Sequence, residues 1–243
     1  EDEKSDTIDD FSRSVSYHNL GSAYIQLEQN EKALEWQIKA VELRKKCCIT
    51  KESKTRLANS YRNLAMIYRR MGKETLSLAE EYQLKVINIL ENVYSENPTH
   101  PDLPVAYSIY SFILRDKGKI EKAIEFQNKA VDIREKNNKN DPKLAINYNN
   151  MAMFLLENNN PKRAKKWMEK AIDMDLKNRA QNHIDIAVDL FNYSKILFKL
   201  NQKEDAIACL EKSRSIEALY NHFDRVTEID ELIKQYNSED YDK

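Results

Sequence analysis

The stretch Tyr17-His18-Asn19-Leu20-Gly21-Ser22-Ala23-Tyr24, followed by Ala33, Gln37 and Ala40, sets a spacing to which the rest of the chain returns. It recurs as Tyr107, Tyr110-Ser111 and Leu114 with Ala123, Gln127 and Ala130, and as Tyr148, Met151-Ala152 and Leu155 with Ala164, Met168 and Ala171. A weaker copy runs Leu190, Tyr193-Ser194 and Leu197, then Ala206, Leu210 and Ser213. The copy at Tyr61, Leu64-Ala65 and Tyr68 fits once two residues are inserted ahead of Ala79, Gln83 and Val86. Large, large-small and large side chains at i, i+3/i+4 and i+7 make one apolar stripe on a helix. The small residue lets a partner helix come close, and the matching alanines are the small residues on that partner. An aromatic follows four of those alanines by three positions (Trp36, Tyr82, Phe126, Trp167), with Cys209 in that slot of the last copy.

The turns agree. Gly72, Gly118, Asn159 and Asn201 each stand four residues after the last large residue of the first helix. A helix ends there on a left-handed residue, which glycine and asparagine tolerate best. The first copy has Glu28 in that place, so a different turn is expected. Pro142 and Pro161 sit where proline opens a helix. The spacing predicts helix pairs at about 12–28/31–47, 52–71/74–95, 102–117/120–138, 142–158/161–177 and 183–200/203–218. An amphipathic stretch at about 222–236 would cover the last apolar face. The organisation expected is an acidic, flexible terminus over 1–10 and five repeats over 11–218. A capping helix over 219–236 and a polar tail over 237–243 complete it.

Composition narrows the class. Three glycines and five prolines in 243 residues cannot supply the turns of a sheet-rich fold, so the chain is all-α. One third of the residues are charged and 41% hydrophobic, which suits thin arrays of helices with much surface per residue. A net charge of −1 gives no field toward nucleic acid or acidic membranes, and no apolar run is long enough to span a bilayer. No basic-then-apolar leader is present, so a cytoplasmic location is expected. Three cysteines, Cys47, Cys48 and Cys209, without a CxxC, fit neither a disulfide framework nor a zinc site; the adjacent pair is read as buried and free.

The repeated residues resemble the tetratricopeptide repeat, whose helices carry this large-x2-large-small pattern followed by alanine. The copies recur every 41 to 46 residues, against roughly 34 in the standard repeat. That longer period, with His100-Pro101-Asp102-Leu103-Pro104-Val105-Ala106 and Asn149-Asn150-Met151-Ala152, is similar to the kinesin-light-chain type. The resemblance implies a right-handed superhelical solenoid of antiparallel helix pairs, with the first helix of each pair on the concave side. It also implies a protein or peptide partner held in that groove.

Asparagine precedes the large-small pair in four copies, at Asn19, Asn63, Asn150 and Asn192, with Ile109 breaking the row. A side-chain amide can hold the backbone of an extended peptide without regard to its sequence. Arg62, Arg69, Arg70, Arg115 and Lys195 are expected to make the groove basic, interrupted by Asp116 and Glu157, and so to favour acidic residues. The alternative for these charges is a solvated helix face. No catalytic constellation is visible. Gly72-Lys73 and Gly118-Lys119 lack the rest of a phosphate loop, and His18, His100, His183 and His222 are scattered without metal-ligand spacing. The reading is therefore a non-enzyme without metal, cofactor, nucleic acid or membrane partner. An architectural subunit and a peptide-sensing regulator stand as alternatives.

Overall fold

The computed structural model describes residues 2–46 and 49–238, with side-chain detail from residue 10. The Cys47-Cys48 pair and the last five residues lie outside the described residues. Eleven α-helices follow in order: α1 Asp2–Gln26, α2 Asn30–Lys46, α3 Lys51–Arg70, α4 Leu76–Val93, α5 Asp102–Asp116, α6 Ile120–Asn137, α7 Lys143–Glu157, α8 Pro161–Asn178, α9 Ile184–Lys199, α10 Lys203–Leu219 and α11 Phe223–Ser238. No strand occurs among the described residues. The chain forms two compact units, Glu1–Ile133 and Arg134–Lys243. Each is built of antiparallel helix pairs set in tandem, and α11 packs on α10 at the end of the second.

One boundary differs from expectation. The acidic stretch expected to fray is helical from Asp2, so α1 starts about ten residues early. A run of acidic residues suits the first turns of a helix, where the peptide dipoles present positive partial charge.

Across a pair the small slots lie against buried side chains of the partner helix, as Gly21 does against Gln37 and Ser111 against Gln127. Ala33, Ala79, Ala123, Ala164 and Ala206 are fully buried, as are Ala65, Ser111, Ala152 and Ser194 on the partner helices. Beside these contacts the rings touch across the pair: Tyr17 on Trp36 at 5.3 Å between centroids, Tyr61 on Tyr82 at 5.6 Å, Tyr107 on Phe126 at 5.9 Å and Tyr148 on Trp167 at 5.5 Å. In the last pair Leu190 meets Cys209 instead. The first pair leaves no room for a side chain at its small slot. A Cβ on Gly21 would stand 2.6 Å from Gln37 Nε2, because that amide runs beneath the glycine to donate to His18 O at 2.9 Å.

The turns follow the slots. Gly118, Asn159 and Asn201 have φ of 73°, 53° and 59°, and the amide of the residue that follows each returns to the helix to close the turn. Glu28 takes the same left-handed conformation, at φ 57°, and Gln29 N donates to Tyr24 O at 3.0 Å. The first turn is thus of the common kind, with an unfavourable residue in it, because the bonds it closes outweigh the cost of a Cβ at positive φ. In the second repeat, Gly72 at φ 108° leads into a 3-10 turn, Lys73–Thr75, which absorbs the two inserted residues and restores the register of Ala79.

Two outcomes are expected in denaturant titrations. Ala164→Leu overfills a fully buried contact and lowers stability by about 1–3 kcal/mol. Glu28→Gly relieves the left-handed strain and raises stability by about 1 kcal/mol.

Candidate functional site

In the first unit the first helices of successive repeats are strutted together by the polar residues that the sequence assigns to a groove. Asn63 of α3 donates through Nδ2 to Ser22 Oγ of α1 at 3.0 Å. Arg70 reaches Ile25 O, near the end of α1, at 2.8 Å. Arg69 of α3 and Arg115 of α5 converge on one carboxylate, Asp116, at 2.5 and 2.8 Å. Both guanidiniums also lie over the Phe112 ring, 5.1 and 5.2 Å from its centre. Two cations of the expected basic row therefore share one acid and present a net single charge.

Arg62 differs from them. Its side chain is partly buried on α3 and bonded to the Asn59 amide oxygen. No carboxylate among the described residues pairs with it, and its buried Nε has no acceptor. Burial alone lowers its pKa, the direction expected of a cation held without a counter-ion, and the more distant Asp102 opposes this. Asn19 is exposed on α1, and no hydrogen bond to its amide is present among the described residues.

The seam between the first two repeats is also polar. Arg44 of α2 is buried and donates to Arg56 O at 2.6 Å and Ser60 Oγ at 2.7 Å, with no acid beside it. Burial, then the charge of Arg56, lowers its pKa to about 10. His18 lies 3.2 Å from both Gln37 Oε1 and Ser60 Oγ. Burial and the Arg44 charge depress its pKa from 6.5 to about 4, so the ring is neutral in the folded state at pH 7. The other histidines hold turns: His100 Nδ1 accepts from Asp102 N at 3.3 Å, His183 Nδ1 accepts from Asp185 N at 3.2 Å, and His222 Nδ1 lies 2.7 Å from Glu217 Oε2.

In the second unit, Asn192 Nδ2 of α9 donates to Asn149 Oδ1 of α7 at 3.1 Å, and Asn149 Nδ2 donates to Asp189 Oδ1. Lys195 lies 4.1 Å over the Phe191 ring, which Arg225 of α11 also covers at 4.4 Å, so Lys195 belongs to the capped end of its unit. Asn150 lines a small cavity with Asn149, Asp175, Asp185, Asp189 and Val188. Asp189 is 4% exposed and its Oδ2 has no donor. Burial pushes its carboxyl up to about 7, against the Asn149 bond and with the nearby charges of Asp175 and Asp185. The sequence reading passed over Asp189, although a signal was there. The slot before the first large residue holds Ser16, Ser60, Ala106 and Asn147 in the other copies, and a carboxylate among such residues stands out.

Models of the tetratricopeptide repeat match residues 12–92, 56–136, 102–177 and 190–218. The chain belongs to the tetratricopeptide repeat family. Among solved structures, a Podosopora anserina protein with nearly identical TPR-like repeats of kinesin-light-chain type is similar at 20% identity. The match covers 87% of this chain and 97% of that one, with a TM-score of 0.72. RapI in its apo form is similar at 17% identity over 93% of this chain and 78% of its own, with a TM-score of 0.78. YrrB, a tetratricopeptide protein with an unusual peptide-binding site, is similar at 17% identity over 88% and 92%, with a TM-score of 0.52. The search of the curated proteins found no match. The two Podosopora anserina structures share this fold, which the present chain builds at a period longer than the standard repeat's. Among the described residues, no helix is long and apolar enough to cross a membrane.

The half-buried His18 gives this tetratricopeptide array a pH signature. A base whose pKa falls on folding contributes stability that is present above pH 6.5 and lost as pH falls toward about 4. His18→Gln is therefore expected to lose less stability than the wild type between those values, read by thermal melts across the window.

Proposed function

We propose that the chain is a non-catalytic interaction module that holds an extended, partly acidic segment of a partner protein along the first-helix faces of its repeats. The single observation that carries this reading is Arg62. It is a cation kept partly out of water beside the asparagine row, with no acid to neutralise it, and a partner's carboxylate would relieve that cost through a charge-assisted bond. Asn19 in the first unit and Asn150 in the second have amides without partners among the described residues, suited to a peptide backbone. Asn63 and Asn192 spend their donors on neighbouring helices but keep carbonyl oxygens to offer an N–H. Arg69, Arg70 and Arg115 are set in this reading as the struts that fix the spacing of the face, with a smaller direct share in binding. Lys195 takes its place at the capped end. YrrB, which has this fold and a peptide-binding site, supports the mode. A cytoplasmic setting suits Cys209, whose half-buried thiol is held protonated by burial.

The test is selection from a displayed library of random peptides, read by sequencing, followed by titration of the enriched sequences. Wild type is expected to enrich peptides with acidic residues. Arg62→Glu should abolish that preference. Asn19→Ala with Asn63→Ala should weaken every selected peptide by about tenfold or more, whatever its sequence. If neither variant changes selection while Leu84→Asp, on the exposed side of the second helix α4, does, the chain works through its second helices as an architectural subunit.

A further inference from the structure

The seam between α8 and α9 differs in character from the seams within the first unit. It buries two carboxylates side by side where the first unit's seams have arginine against serine (Arg44, Ser60) and leucine against alanine (Leu90, Ala106). Asp175 is 2% exposed and bonded by Arg179 at 3.0 Å. Arg179 also bonds Asp185 through Nη1 at 2.7 Å, and that nitrogen lies 3.3 Å from His183 Nε2; none of these bonds goes to Asp189. Asp189 has one amide donor on Oδ1 and none on Oδ2. The charged groups that reach it are Asp175 and Arg179 from the end of α8 and Asp185 from the start of α9. The element α7 offers only the amides of Asn149 and Asn150, and α10 offers Ser213, whose hydroxyl is spent on Ala187 O. Three acids against one arginine leave the site with an excess of negative charge. A buried carboxylate with an orphan oxygen costs free energy unless a donor arrives.

Beside it is a cavity of about 130 Å³, lined by these acids, by both asparagines and by the aliphatic side chains of Ile146 and Val188. We infer that this cavity is a receptor for a primary ammonium at the end of an alkyl arm, a lysine side chain of a bound partner, with Asp189 Oδ2 as its principal acceptor. An ammonium brings three donors on a compact charge, which the oxygens of Asp189, Asp185 and Asn150 can share. Ile146 and Val188 suit its methylenes. A guanidinium pairs best with both oxygens of one carboxylate, and Asp189 Oδ1 already takes the Asn149 amide. Among the described residues no group of His, Cys, Asp or Glu is placed to hold a metal ion. The site lies wholly in the second unit and does not rest on Arg62, so failure of the acidic-peptide reading leaves it standing.

The experiment follows the side-chain amide resonances of Asn149 and Asn150 by NMR during titration. The probes are n-butylammonium, Nα-acetyl-lysine methylamide, glycinamide and, as neutral controls, n-butanol and Nε-acetyl-lysine methylamide. The first two are expected to shift those resonances saturably and the neutral pair not to. Glycinamide, a free α-ammonium without the arm, should bind more weakly than n-butylammonium; equal binding would assign the site to peptide N-termini and overturn the lysine assignment. Asp189→Asn keeps the side-chain shape and its bond from Asn149, and should weaken n-butylammonium by about tenfold. In the wild type, affinity should rise between about pH 6 and pH 8, because only the ionised carboxylate pairs with the cation. Binding that is indifferent to both pH and Asp189→Asn, or n-butanol binding as well as n-butylammonium, overturns the proposal.

Discussion

The close approach of two helices at a fully buried alanine is the constraint on which everything else depends. With Ala33, Ala79, Ala123, Ala164 and Ala206 all sealed from solvent, the axes come near enough for flanking rings to meet in the first four pairs. Interiors at this density transmit changes in volume, so the pairs behave as nearly rigid blocks. Within each unit, rigid blocks stacked in sequence place one first helix beside the next. Only then can Asn63 reach Ser22, Arg69 reach Asp116, and Asn192 reach Asn149. The polar face follows from the apolar packing beneath it.

The seams between repeats vary where the pair contacts do not. Eleven residues after each of the five repeat alanines the chain has Arg44, Leu90, Arg134, Asp175 and Glu217, all largely shielded from water. The position thus runs from basic to acidic along the sequence while the alanines stay constant. Each charge draws a local answer. Arg44 finds a carbonyl and a hydroxyl, Arg134 finds Asp141 at 3.0 Å, and Glu217 finds His222. Asp175 finds Arg179, and its neighbour Asp189 is left with half its bonding capacity unused. Chemical individuality in this molecule sits in its seams.

Much of the fold was legible because helix pairing is written in side-chain size at fixed spacing. Every predicted helix from Ala33 onward exists within about three residues of its expected bounds, and the left-handed turns at Gly118, Asn159 and Asn201 stand where the spacing put them. What the sequence could not show was how side chains pair between repeats. Arg69 and Arg115 read as a basic row until Asp116, which spacing marked as a mere interruption, proved to sit between them. His18 looked scattered because its partner Ser60, 42 residues away in sequence, is joined to it by the fold and not by any motif. Glu28 and Asp2–Asp10 went astray for a simpler reason: local preference was set against tertiary and dipole effects that outweigh it.

The turn at Gly72 bears on how such a chain can change over evolutionary time. Its 3-10 segment takes up two additional residues without disturbing Ala79, so the pair contact is reset by distance and not by residue count. Loop-closure entropy grows slowly with length, which makes such additions cheap in free energy. Duplication, lengthening and shortening of the connectors are therefore open to selection while the alanine contacts are closed to it. New specificities can be acquired by editing what lies between blocks, leaving the blocks themselves as inherited stock.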